Sequence, residues 1–437
     1  MVNKSHTFKN NLQFVSSPLV NQITSINIFI NVGSINEPKN LNGISHFIEH
    51  MIFKGTKKLK DSKSISTIFD SIGASINAHT TLDYTCYEVK CHSSYTKLCL
   101  HTLFDMILCS TFDKNETERE KDVVIEEITM HADNSVRRVN ELVYQSLFNE
   151  SSLAQSVGGS PKLIKKWKYR DIIAYYKHFY RPENIVISMA SNIPFKKLLK
   201  MISSQKISKL NTKKVIKDFH PRFTINTKEN RIILKNRKLD QVHMALGFRC
   251  CGRYNKDFYP LKLLEIILAS NMSSLLFVNL REKNGLTYSV HIDLSVFEKI
   301  GNFIILTSVD KTKLFNKDKK KGAFDVIIET LMDLYRNGVS AEQLKLAKGF
   351  LKGMITLSLE NSDTISSTNG VAYISNGLDK DIPVTQIYAH RYRNLTRASV
   401  NKVIRKYILE KNVGCAFIGD NITKSKSIIS KKLSKFK

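Results

Sequence analysis

The feature that most constrains the fold is a long-period repeat. An alternating strand at 25–34 is followed by helical periodicity through 43–54 and 63–71 and by β-branched, alternating residues over 74–92. Helical spacing returns at 96–109, along a charged stretch from Lys114 to Asp133, and at 168–180, before a short strand at 184–191. The second half runs through the same order. A strand at 241–250 leads into a helical segment at 260–285, interrupted around Ser270–Ser274. Two strands, two helices and a helix-then-strand unit at 399–421 complete it. Asn184 and Asn412 fall at matching places, 228 residues apart. A period above ~200 residues implies duplicated domains rather than a solenoid. At about 150 residues per domain, a chain of 437 has room for two. The expectation is an α+β fold of two homologous domains, each a mostly antiparallel sheet with helices packed on one face. Their expected boundaries are 1–204 and 239–437, with the Lys-, Asn- and Thr-rich stretch 205–238 as linker.

Composition excludes several classes. Hydrophobic residues make up 42%, enough for large cores and against disorder as the main state. Seven cysteines, an odd number with no CxxC spacing, argue against a disulfide framework or a zinc ribbon and for small core residues. No apolar run reaches the ~18 residues of a membrane span, and the N-terminus lacks a secretory pattern. The expected location is a cytoplasm or the matrix of a mitochondrion-like organelle. The net charge of +28 raises nucleic acid as a partner, yet 51 of the 67 basic residues are Lys. Base and phosphate recognition favours the planar Arg fork, and no Arg-rich or aromatic-interleaved patch occurs, so no nucleic acid is expected.

Chemistry concentrates in His46-Phe47-Ile48-Glu49-His50, an H-x-x-E-H on an expected helix. Residues four apart share a helix face, so both histidines can reach one metal ion. A carboxylate at Glu49 projects close to that face, where it can take a proton from water. A catalytic zinc needs a third protein ligand, and the second long helix offers Glu120, Glu126 and Glu127. His79, His92, His101 and His131 read as ordinary polar residues, Glu126 as solvated, Trp167 as a core anchor and Cys250-Cys251 as packing.

The segment GISHFIEHMIFKGT resembles the inverted zinc motif of the M16 (pitrilysin/insulinase) peptidases, and in particular their short, processing-peptidase-like members. The resemblance selects Glu127, 77 residues after His50, as third zinc ligand beside His46 and His50. It casts Glu120 as a supporting acid within E-x-x-V-V-x-x-E-I. Ser34 and Glu37 match the family's G-S-x-x-E. Asn77, Ala78 and Thr80 match an N-A-x-T strand whose backbone and Asn side chain hold extended substrate. Arg281 and Tyr288, in LREKNGLTYSV, match a pair that binds substrate and stabilises the tetrahedral intermediate. One departure is the stretch 269–274, which replaces a glycine-rich run. The implied activity is zinc-dependent endopeptidase cleavage of extended oligopeptides or targeting presequences, with one zinc per chain and Glu49 as general base. The alternative is a non-catalytic partner or scaffold subunit. Relatives enclose substrate in a chamber of four such domains. The resemblance therefore implies a homodimer, or a heterodimer with a related subunit, each site completed by the partner subunit's Arg281 and Tyr288.

Overall fold

A computed structural model describes residues 3–149, 151–211, 231–317 and 320–436. The described residues form two compact units. The first draws on Met1–Thr129, Gln155–Arg222 and Ile355–Gln386, the second on Met130–Ala154, Phe223–Met354 and Ile387–Lys437. These units differ from the contiguous stretches 1–204 and 239–437, because each takes a helix from the other half of the chain. Residues 212–230 of the expected linker lie outside the described residues, and its last part is a strand.

In the first unit, six strands run β1 (Lys4–Thr7), β2 (Gln13–Pro18), β3 (Ile23–Ile30), β4 (Ser75–Thr80), β5 (Thr85–His92) and β6 (Ile185–Ser191). Their order in the sheet is β1-β2-β6-β3-β5-β4, with only β2 and β6 parallel. Alternation sends Ile26, Ile28, Ile30, Tyr87 and Val89 to one face. There they join a core with helices α1 (Ile44–Ile52), α2 (Ser62–Asp70), α3 (Thr96–Cys109) and Tyr169–Phe179. The opposite face is covered by helix Ser362–Ile374, which the apolar periodicities do not announce. Its residue Gly370 lies against Phe29: a Cβ there would stand 2.0 Å from the ring. The Ser188 and Ser366 hydroxyls each donate to the other residue's carbonyl, at 2.6 and 2.9 Å.

The second unit repeats this plan with β7 (Ile232–Asn236), β8 (Gln241–Cys251), β9 (Thr287–Val296), β10 (Ile300–Asp310) and β11 (Val413–Gly419). The order β7-β11-β8-β10-β9, with β7 and β11 parallel, is the order β2-β6-β3-β5-β4 of the first unit. The duplication extends to single bonds. Asn184 Nδ2 donates to Phe179 O at 3.2 Å, and Asn412 Nδ2 to Tyr407 O at 3.1 Å. Helix α5 (Ser135–Phe148), from the N-terminal half, packs on β8 and β11 of the second sheet. Among the described residues, no helix is long and apolar enough to cross a membrane.

Helix α1 is set by its N-terminus. Ile44, Phe47, Ile48 and Met51 form a stripe at helical spacing, all buried. The helix starts at Gly43 with φ +99, where a Cβ would lie 2.6 Å from Gly158 O. Buried Glu37 caps it: Oε2 accepts from Gly43 N at 2.6 Å and Asn42 Nδ2 at 3.0 Å, and Oε1 from Ser45 N at 2.8 Å. These bonds satisfy helix N–H groups that have no partner within the helix. Burial nevertheless pushes the Glu37 carboxyl up to about 7, outweighing those donors.

This gives α1 a pH-dependent anchor. A carboxyl raised from its ordinary 4.5 to about 7 contributes stability that is full below the lower value and lost as pH rises through the upper. In denaturant titrations between pH 5 and 8, wild type should lose about 2–3 kcal/mol relative to Glu37→Gln. A pH-independent difference between the two would refute the anchor's titration.

Candidate metal centre

Two helices build the centre. The apolar stripe of α1 faces the core, which leaves His46 and His50 half-buried one turn apart on its other side. Helix α4 (Lys114–Asp133) starts at Asp113, whose Oδ1 accepts from Asn115 N at 2.9 Å and Glu116 N at 3.0 Å. It buries Thr117, Glu120 and Val124, a stripe that continues to half-buried Glu127. Glu126, its neighbour, is exposed.

Three donor atoms converge. His46 Nε2 and His50 Nε2 stand 3.3 Å apart. Glu127 Oε2 is 3.3 Å from the His50 nitrogen and 3.7 Å from that of His46. Donors about 2.0–2.1 Å from a tetrahedral zinc stand about 3.3–3.4 Å from one another. The triangle therefore fits zinc in both donor type and spacing. Three protein donors leave a fourth position for water or substrate.

Glu120 orients the site. Its Oε1 accepts from His50 Nδ1 at 2.9 Å and its Oε2 takes the Lys54 ammonium at 2.5 Å. With Nδ1–H donating, His50 presents the lone pair of Nε2 to the triangle. Burial raises the Glu120 carboxyl, but His50 and Lys54 outweigh it and hold the group below its ordinary value. At His50 burial acts to lower the imidazole. The bond and charge of Glu120, with Glu49 and Glu127, overcome that and raise it. A pocket that raises a histidine in this way favours a cation.

Glu49, one residue before His50, is 8% exposed. Thr80 Oγ1, at the end of β4, donates to its Oε2 at 2.5 Å. Burial pushes the Glu49 carboxyl up, against the hydroxyl bond and His50. Thr80 thus ties the motif helix to the sheet's last strand. That strand is open along one side among the described residues. Thr81 N donates to Tyr84 O at 2.8 Å and closes the β4–β5 hairpin. Antiparallel alternation then points the N–H and C=O groups of Ile76, Ala78 and Thr80 away from β5, along the open edge. The Asn77 side chain is exposed, on the face opposite Ala78.

Arg281 and Tyr288 belong to the second unit. Arg281 lies on a π-helical turn, Val278–Glu282, and Tyr288 near the start of β9, an edge strand. The guanidinium stacks 4.8 Å from the Tyr288 ring and 4.9 Å from that of Phe277, while Tyr288 is 82% exposed. Sequence reasoning named the ligand triangle and Glu120 but gave Thr80 no contact with Glu49, and Glu37 no role in holding α1. The Asn134 and Asn361 caps, and for Ser135–Phe148 the stripe Val139, Leu142, Val143 and Leu147, were the available signals for the two exchanged helices. Asn134 Oδ1 accepts from Val136 N and Arg137 N, and Asn361 Oδ1 from Asp363 N.

Comparison with known proteins gives two successive family matches along the chain. Residues 14–160 match the family described as insulinase (peptidase family M16), and residues 166–351 the peptidase M16 inactive domain. An uncharacterized zinc protease of Bacillus subtilis is 33% identical over 372 residues, spanning 84% of this chain and 87% of that protein. One of Rickettsia felis is 30% identical over 380 residues, spanning 86% of each. A solved protease from Helicobacter pylori superposes with a TM-score of 0.86 at 22% identity, over 95% of this chain and 99% of that one. A peptidase M16 inactive domain structure from Pseudomonas fluorescens gives 0.83 at 16% identity, over 96% and 98%. Two family models and a relative of this identity over most of both chains establish that the chain belongs to peptidase family M16, the insulinase family.

Proposed function

We propose that the chain is a zinc-dependent endopeptidase that cleaves extended oligopeptides or targeting presequences. The carrying observation is the His46–His50–Glu127 triangle at zinc-matched spacing, with the buried carboxylate of Glu49 beside it. One zinc ion held there would supply a Lewis acid that acidifies water and polarises the scissile carbonyl. Glu49 then acts as general base, accepting a proton from the attacking water and passing it to the leaving amine. Its raised affinity for a proton, set by burial, suits a group that must take one and give it up. Thr80 fixes one Glu49 oxygen, so the carboxylate reaches the water in one orientation. Glu120 holds His50 in the tautomer that ligates through Nε2.

The open edge of β4 supports an extended substrate. A peptide added as a further strand would pair with the outward N–H and C=O of Ala78, beside Asn77. Such pairing needs an unfolded segment, which excludes compact proteins. Arg281, half-buried and stacked on exposed Tyr288, is suited with it to hold the peptide backbone or the developing oxyanion. The chain acts as a homodimer in this reading, with the partner subunit's Arg281 and Tyr288 completing each site. A scaffold role is disfavoured by the complete donor set and by Glu49.

Digestion of a peptide library, followed by mass spectrometry, should show internal cleavage that a chelator abolishes and zinc restores. Glu49→Gln should keep its zinc and lose about 10²–10⁴-fold in kcat/KM; undiminished cleavage by this variant would sink the mechanism. Glu120→Gln should weaken zinc binding by about 10–100-fold in competition with a chromogenic chelator, and unchanged affinity would remove its orienting role. Light scattering after size exclusion should find activity only at twice the chain's mass. An active monomer would refute the dimer.

A further inference from the structure

A second cluster of metal-ligating side chains lies on the other face of the same sheet. His79 on β4 sits directly opposite Cys86 on β5, and Glu88 follows two residues later on the same face as Cys86. One donor atom from each lies within 4.8 Å of the other two. Donors round a tetrahedral ion with one thiolate stand about 3.3–3.7 Å apart. Side-chain movements of up to about 1–1.5 Å would therefore close the set, with no change in strand register.

The surroundings match the chemistry. Cys86 is fully buried, packed with Phe29 and Val186 against residues of helix Ser362–Ile374. Asn27 Nδ2 points a donor at its sulfur from 3.7 Å, an arrangement that favours thiolate over thiol. Burial otherwise pushes this thiol well up, so an ion entering the cluster would have to displace its proton to solvent. His79 and Glu88 are only half-buried, which gives an ion a path to the sulfur. The His79 ring also leans edge-on to Tyr84, at 5.9 Å, which limits its rotation. The cluster is separate from the first centre. Tyr87 and Val89, which alternate with these residues on β5, face the α1 side, and Cys86 and Glu88 face away from it.

We propose that His79, Cys86 and Glu88 form a second transition-metal site, additional to His46–His50–Glu127. An imidazole, a thiolate and a carboxylate together select zinc, cobalt or copper over magnesium and calcium. A bound ion would staple the edge strand β4 to β5 immediately before Thr80, whose hydroxyl holds Glu49. That link to activity rests on the peptidase reading; the binding proposal does not.

Cobalt(II) titration of the full, metal-stripped chain separates the two centres, because only the second contains sulfur. Wild type should take up two ions per chain, one of them giving a thiolate-to-cobalt charge-transfer band. Cys86→Ala should lose that band and one ion while retaining the other. The His46→Ala/His50→Ala double variant should show the converse, keeping the band. Glu49→Gln should leave the band unchanged even if cleavage proves unaffected, so the two proposals fail separately. Since Cys86 is a core residue, His79→Gln and Glu88→Gln give a second measure at half-buried positions. Each should weaken cobalt binding in the band by at least about tenfold. Uptake of a single ion without a thiolate band would overturn the proposal. So would a band that survives Cys86→Ala, or affinities unchanged in both His79→Gln and Glu88→Gln.

Discussion

Glu120 is the interaction on which the rest of the centre depends. It stands on α4, and both its partners, His50 and Lys54, belong to α1 and the turn after it. A carboxylate 3% exposed is costly to bury unless both oxygens are satisfied, and here each has a donor. The pairing fixes the rotation of His50 and ties the segment that carries His46 and His50 to the helix that carries Glu127. Without it the third ligand would be joined to the first two only through general packing. Buried ion pairs are weak sources of stability, but they discriminate sharply between registers of two packed helices. A metal site needs that discrimination, since its donors must agree to a few tenths of an ångström.

The other end of α1 is held by a different device. Glu37 caps the helix from within the core, and Gly43 makes close backbone contact with Gly158. The motif helix is thus pinned at its start by one carboxylate and at its end by another. Between them the apolar stripe sets which face turns to the core, and the polar contacts at the two ends fix the helix more finely. Polar contacts at both ends explain how a helix of nine residues can present two histidines in a defined geometry.

The sequence disclosed those parts of the structure that depend on local periodicity. The i, i+4 spacing of His46 and His50 and the two-turn spacing of Glu120 and Glu127 need only a helix to become geometry. The repeated strand order was legible for the same reason, and β2 to β6 and β7 to β11 do share one topology. Long-range packing was not legible. Helix Ser362–Ile374 covers the first sheet although it lies in the second half of the chain, and α5 covers the second sheet from the first half. Helix Ser362–Ile374 shows little apolar periodicity of its own. Helix α5 does carry a stripe, Val139, Leu142, Val143 and Leu147, but nothing local says which sheet either helix joins. Gly370 against Phe29 and Ser366 against Ser188 specify the pairing only once both faces are in view. Glu37 was visible as a residue but not as a cap, because its role depends on burial that brings it onto the start of α1.

Strand β4 is where these constraints meet. Its backbone is satisfied on one side by β5 and, among the described residues, open on the other. One face carries Thr80 to Glu49, and the other carries His79 towards Cys86 and Glu88. An open edge is normally a liability that invites unwanted pairing. Here the strand is only six residues long, and Thr80 ties its end to Glu49, so its exposed N–H and C=O groups keep a fixed register. The net charge of +28 does not enter this arrangement directly. Around the first centre the charges are Glu49, Glu120 and Glu127 against Lys54, a local excess of carboxylate in a basic chain. That reversal concentrates attraction for a cation at the triangle. The lysine excess lies outside this cluster of charges.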